Sequence, residues 1–208
     1  MSQAPEFTSS NRIIELMYRE RYSDFKEKYN ELKNPGIIYV TEIASCSYKY
    51  HLRLKYPELL FSFEPITILG VLVHRGLQGI LEKHDFVPEY SIEKEYDIDG
   101  HKIKLKGRID VYNPKENVVV EIKTSRSSQG TPREHHIEQL LIYMNIVDSE
   151  FGILVYITPD RILEYGFRRR SIDIEKRIIE TLNNDVHPRW DWECRYCVYS
   201  KLCPFKKD

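Results

Sequence analysis

The spacing of apolar and polar positions divides the chain into a helical N-terminal part and a β-rich centre. Over residues 11–32 apolar and charged residues alternate at helical spacing, which predicts a surface helix. Thr41 is a suitable N-cap for a second helix with Ile43, Cys46, Tyr50 and Leu54 on one stripe. A third helix is predicted over residues 64–83, with Ile66, Leu69, Val73, Leu77, Ile80 and Leu81 on its apolar face. The period then switches to two. Residues 91–97 alternate, Asp99-Gly100 signals a hairpin turn, and residues 101–112 alternate again. In that second strand Ile103, Leu105, Ile109 and Val111 take one face, and Lys102, Lys104, Lys106, Arg108 and Asp110 take the other. Asn113-Pro114 opens a turn before the β-rich run of residues 118–122.

Thr131-Pro132-Arg133-Glu134 reads as a helix start, with Thr131 as N-cap, Pro132 in the first turn and Glu134 closing a capping box. That helix should reach residue 147, followed by strands over 151–158 and 162–167 and a last helix over 172–182. Beyond Asn183 the chain is irregular and carries Trp190, Trp192 and three cysteines. No repeat or low-complexity linker interrupts the pattern, so residues 1–208 are expected to form one domain. Its parts are a flexible tail (1–10), a helical part with Cys46 and His74 (11–87), a core (88–167) and a final helix with a cysteine segment (168–208). The order of elements predicts an α/β fold with a mixed sheet flanked by helices.

Composition narrows the choices only modestly. Hydrophobic residues make up 41% and charged residues 30%, as in an ordinary globular chain. No run of eighteen apolar residues occurs, so no spanning helix and no membrane partner is expected. The first residues lack the basic-then-apolar pattern of a signal peptide, which points to a cytoplasmic protein with little use for disulfides. The formal net charge of −1 means that any nucleic acid must be met by a local basic surface.

The centre of the β pattern carries the chemistry. With Pro114 to Asn117 as the loop, Asn113 pairs with Val118, and the same register sets Asp110 opposite Glu121, Cβ atoms about 5 Å apart. Glu121 and Lys123 are two residues apart and share Asp110's face, while Ile122 points into the core. Two carboxylates on one face repel unless a positive charge lies between them, and Mg²⁺ or Mn²⁺ suits an all-oxygen site. Such a metal could hold a phosphate, with Lys123 positioning a water and offsetting the charge that builds on the phosphate. The bland alternative is a surface salt bridge on a solvated strand face. Lys102, Lys104, Lys106 and Arg108 lead along the strand to Asp110 at a spacing of about 6.6–7 Å, suited either to consecutive phosphates or to a solvated edge. Arg168, Arg169 and Arg170 add a second basic patch.

Cys194, Cys197 and Cys203 form a compact ligand cluster, and Cys46 lies far away in sequence. Spacing alone leaves a zinc site, an iron–sulfur cluster, a redox pair and inert buried thiols all open.

Taken together, Gly107-Arg108-Ile109-Asp110, Glu121-Ile122-Lys123, Gln139 with Tyr143, and the upstream His74 resemble the RecB-type branch of the PD-(D/E)XK nucleases. The resemblance implies a restriction-endonuclease-like fold in which His74, Asp110, Glu121 and the Ile122 carbonyl bind the metal. It also implies that Asp110, Glu121 and Lys123 are catalytic, and that Gln139 and Tyr143 line the DNA path. One cysteine before the core and three after it are similar to the CRISPR-associated RecB-like exonucleases, implying a structural [4Fe–4S] cluster on Cys46, Cys194, Cys197 and Cys203. The implied activity is 5′-to-3′ degradation of single-stranded DNA, trimming fragments for CRISPR spacer acquisition with integration proteins as partners and with room for a homo-oligomer. A non-catalytic nucleic-acid-binding module with a structural metal is the alternative, and it would bind DNA in a salt-dependent way without cutting it.

Overall fold

The computed structural model describes residues 10–207, so the expected tail lies outside the described residues except for Ser10. The first helix, α1 (Arg12–Leu32), forms as its spacing predicts. A three-residue strand that the pattern does not announce follows, β1 (Ile37–Tyr39). Because β1 holds Tyr39 extended, the next helix begins at residue 40 and not at a Thr41 cap. The Tyr39 amide donates to the Glu42 carboxylate at 2.9 Å. The expected second helix is split into α2 (Val40–Ile43) and α3 (Tyr48–Lys55), and Cys46 sits in the break.

Helix α4 (Pro65–Leu81) has the expected extent but a different orientation. Ile66, Leu69 and Ile80 of the expected inner face are each at least half exposed, whereas Leu77 and Leu81 pack against the sheet. The rotation brings His74 and Gln78 to the sheet. Polar contacts therefore set the orientation of this helix in place of its full apolar stripe.

The sheet is built from β2 (Val87–Ile98), β3 (His101–Asn113), β4 (Val118–Thr124), β5 (Phe151–Ile157) and β6 (Ile162–Arg168), together with β1. β1 with β3 and β4 with β5 are parallel pairs, and the other pairings are antiparallel, so the sheet is mixed as expected. Asp99 and Gly100, both with positive φ, close the β2–β3 hairpin. Helix α5 (Glu134–Ile146) starts later than its predicted capping box. Arg133 is its N-cap, and the Thr131 hydroxyl instead donates to the Ser128 carbonyl at 2.8 Å. Helix α6 (Ile174–Asn183) and a single turn, α7 (Glu193–Tyr196), complete the described elements. The main core packs α5 and α6 against one face of the sheet, through residues such as Leu105, Ile109, Leu140 and Ile178. Val111, Val120, Ile122 and Val155 form a smaller core on the face that α4 covers.

One feature of the sheet positions the candidate site. β2 runs along one edge of β3 for nearly its whole length. The other edge of β3 is shared: β1 takes residues 104–106 and β4 takes residues 111–113. Between these two partners the sheet forks, and Arg108 and Asp110 lie in the fork.

Candidate active site

Hydrogen bonds that strands would otherwise make are made in the fork by side chains. The β3–β4 ladder has the predicted register, but it ends at Val111 and Val120, one pair short of setting Asp110 opposite Glu121. The Asp110 carboxylate instead accepts the Ile122 amide at 2.8 Å, so the strands part and the carboxylate closes the gap. At Arg108 the Tyr143 hydroxyl does the same work. It donates to the Arg108 carbonyl at 3.0 Å and accepts the Arg108 amide at 3.3 Å. Tyr143 is only 2% exposed, so its ring has no face to offer a base, and it would act on the DNA path implied by the resemblance only through the backbone it holds. Gly107 accounts for the close fit: a Cβ there would meet Tyr143 Cε1 at 2.7 Å and Val40 Cγ2 at 2.8 Å.

Around the fork the predicted residues gather from four elements. His74 of α4 places Nδ1 3.5 Å from Asp110 Oδ1. Lys123 donates to Glu121 Oε2 at 2.7 Å and to Gln139 Oε1 of α5 at 3.0 Å. Glu121 is 1% exposed, and its second oxygen, Oε1, has no partner among the described residues. Burial pushes the Glu121 carboxyl up to about 7, with Asp110 adding to the rise and Lys123 opposing it. Burial also works to raise Asp110, but the His74 hydrogen bond, the Lys123 charge and the Ile122 amide outweigh it and hold Asp110 low. Lys123 is held above its ordinary value: burial opposes the charge, and the nearby Glu121 and Asp110 carboxylates more than compensate. The group is a pair of acids of opposite tendency joined by one cation, the pattern expected of a reaction centre.

Sequence reasoning missed Gln78. Its buried side-chain amide donates to the Asp110 carbonyl at 2.9 Å and to Glu89 at 2.7 Å. The signal was present, because Gln78 lies one helical turn beyond His74 on the same face. A cleft lined by His74, Gln78, Glu89, Arg108, Asp110 and Thr124 opens on this side. The basic stripe shares one face as predicted but is not an open row of charge. Lys104 pairs with Glu93, Lys106 with Glu31 and Glu93, and Arg108 with Glu89. Of the stripe, Arg108 lines the cleft, and Lys102, Lys104 and Lys106 do not. In the second patch Arg169 is paired with Asp148 and Glu150.

Cys46, Cys194, Cys197 and Cys203 come from opposite ends of the chain and line one small cavity as free thiols. Burial raises the Cys46 thiol to about 11 and Cys197 in the same direction. Neutral thiols have no reason to draw together, and among the described residues no three His, Cys, Asp or Glu side chains converge tightly enough to grip one ion. The segment is anchored by Glu193, which sequence reasoning also missed. Its carboxylate accepts the Cys46 amide (3.1 Å), the Lys49 ammonium (2.9 Å) and the amides of Arg189 (2.9 Å) and Trp190 (3.1 Å).

Residues 81–204 match the PD-(D/E)XK nuclease superfamily, whose members use divalent metals, and this range spans β2 to the last cysteine. Over 203 residues the chain is 39% identical to the CRISPR-associated exonuclease Cas4 of Saccharolobus solfataricus, covering 93% of this chain and 98% of that protein. The crystal structure of SSO0001 superposes with a TM-score of 0.86 at 35% identity, over 97% of this chain and 100% of that one. The chain belongs to the PD-(D/E)XK nuclease superfamily, and within it to the Cas4 family of CRISPR-associated exonucleases. Among the described residues no helix is long and apolar enough to cross a membrane.

Proposed function

We propose that this chain is a Mg²⁺- or Mn²⁺-dependent deoxyribonuclease that degrades single strands from the 5′ end and trims fragments for CRISPR spacer acquisition. The observation that carries this reading is Glu121: a buried carboxylate with one oxygen on Lys123 and the other without a partner among the described residues, beside Asp110. Leaving a carboxylate oxygen buried and unmet is costly, and a hard cation is the natural occupant of such a position. His74, Asp110, Glu121 and the Ile122 carbonyl are the residues that would hold it: two carboxylates, an imidazole and a carbonyl suit such a cation in donor type, and the side chains would have to draw together around it. When bound, the cation supplies a Lewis acid for the scissile phosphate and acidifies a water.

The remaining work belongs to this chain's own side chains. Lys123 Nζ, held by Gln139, orients the attacking water and offsets charge that builds on the phosphate. His74 and the Ile122 amide fix the Asp110 carboxylate. Tyr143 fixes the Arg108 backbone and thereby the cleft wall. Arg108 is the member of the basic stripe placed to meet a phosphate in the cleft.

The four thiols fit a [4Fe–4S] cluster in number, donor type and common cavity, and such a group would tie the chain ends together. Metal analysis of the purified protein tests this, and a colourless preparation with stoichiometric zinc would overturn it. The nuclease reading is tested with end-labelled single strands and added Mg²⁺ or Mn²⁺. Lys123→Ala and Asp110→Ala are expected to lose about 100-fold or more in rate. Undiminished cutting by either variant would remove these residues from the site.

A further inference from the structure

Behind Gln139, away from His74, lies a second cavity of about 550 Å³, within the range of about 300–1,000 Å³ that ligand sites occupy. It is separate from the metal-side cleft, but Lys28 and Leu60 line both. Gln139, the partner of Lys123, also lines it. Trp190, Trp192, Tyr196 and Tyr199 form much of its wall. Trp190 is fixed by donating its indole N–H to the Ala44 carbonyl at 3.1 Å. Trp192, 40% exposed, leans on His135 with ring centroids 4.3 Å apart. Tyr199 is 1% exposed, yet its hydroxyl has no hydrogen-bond partner among the described residues. That hydroxyl is closed off from the cavity, whose accessible aromatic surface is that of Trp192 and Tyr196; such a wall beside the proposed cutting centre suits a flat ligand.

We propose that this cavity receives one unstacked nucleobase of the substrate strand, the base on the Gln139 side of the scissile phosphate. This deepens the single-strand nuclease reading and rests on it. Trp192, the exposed indole of the wall, supplies the stacking face. Stacking accepts any base because every base has a π-face, so the subsite fixes the position of the strand without requiring a sequence. The charges in the cavity fit a strand passing its rim. Glu42 and Glu193 are already engaged by Arg53 and Lys49, and Lys28 stands where the cavity and the cleft meet.

The test uses the full chain and single-stranded DNA carrying one 2-aminopurine at successive positions, first in a metal chelator so that nothing is cut. Fluorescence should be quenched several-fold more at one position than at its neighbours. Trp192→Ala should remove that quench and weaken binding about 10-fold. Equal quenching at every position, or a quench that persists in a folded Trp192→Ala protein, overturns the proposal. Added Mg²⁺ separates the two claims. Cutting without a preferred quench position sinks the subsite alone, and a position-specific quench without cutting sinks the nuclease reading alone.

Discussion

Replacing Tyr143 with Phe removes one oxygen atom and nothing else from the fork between β1 and β4. The ring stays, so no cavity opens beside Gly107, and the loss falls on the two bonds with the Arg108 backbone and on the hydroxyl's contact with the Gln139 side chain. A buried backbone group left unmet costs about 1–3 kcal/mol. The amide bond at 3.3 Å is long and therefore weak. Because the Arg108 side chain is exposed, water can reach part of the vacated edge. The lower part of that range, about 1–2 kcal/mol, is expected. For a chain of about 200 residues this corresponds to a fall of about 2–8 °C in melting temperature. The same change frees the strand that carries Asp110, so kcat should fall with little change in KM. Thermal melts and steady-state cutting of a labelled single strand read both effects. A residue that touched the strand would behave in the opposite way. An unchanged melting temperature with KM raised several-fold would refute the argument that Tyr143 works through the backbone.

Three further outcomes follow from other contacts. Gly107→Ala forces a Cβ against Tyr143 and Val40, and should destabilise the protein by about 1–3 kcal/mol in urea melts; a neutral result would mean that the fork relaxes freely. Glu193→Ala leaves Lys49 and three backbone amides without their buried acceptor and should cost about 3–5 kcal/mol. Limited proteolysis should then cut the C-terminal segment first, and cuts elsewhere would contradict this. His136 Nδ1 is hydrogen-bonded to the Tyr156 hydroxyl at 2.6 Å, and the imidazole is held at about 2, chiefly by burial with a contribution from the Lys123 charge. The unfolded chain takes up this proton below about pH 6.5 and the folded chain does not, so stability is full above that pH and declines as pH falls. The decline approaches about 1.4 kcal/mol per pH unit. Denaturant melts from pH 7 to pH 5 measure it, and His136→Gln should flatten the slope; an equal slope in the variant would exclude this group as the cause.

The sequence made strong, short-range signals legible and left long-range ones hidden. The alternation of β3, the Asp99-Gly100 turn and the four-residue loop fixed the β3–β4 register correctly, because hairpins are specified locally. β1 was invisible because three residues carry no period, and its pairing with β3 is decided by chain far away. Overlooking it concealed the fork, and with it the reason why Asp110 meets the Ile122 amide and not the residue opposite. Helix α4 misled in a different way. Its apolar stripe was genuine, but hydrogen bonds from Gln78 and the approach of His74 to Asp110 settle which side meets the sheet. Tyr143 is singled out by the family resemblance, whereas its burial can be seen only with α5 packed against the sheet.

The contact between Glu193 and Cys46 joins positions 147 residues apart in the chain, which orders events during synthesis. A ribosome delivers His74, Asp110, Glu121 and Lys123 well before Glu193, Tyr199 and the last cysteine. The residues proposed to cut are therefore made before the wall proposed to seat a base, and a product truncated before Glu193 is expected to carry the former without the latter.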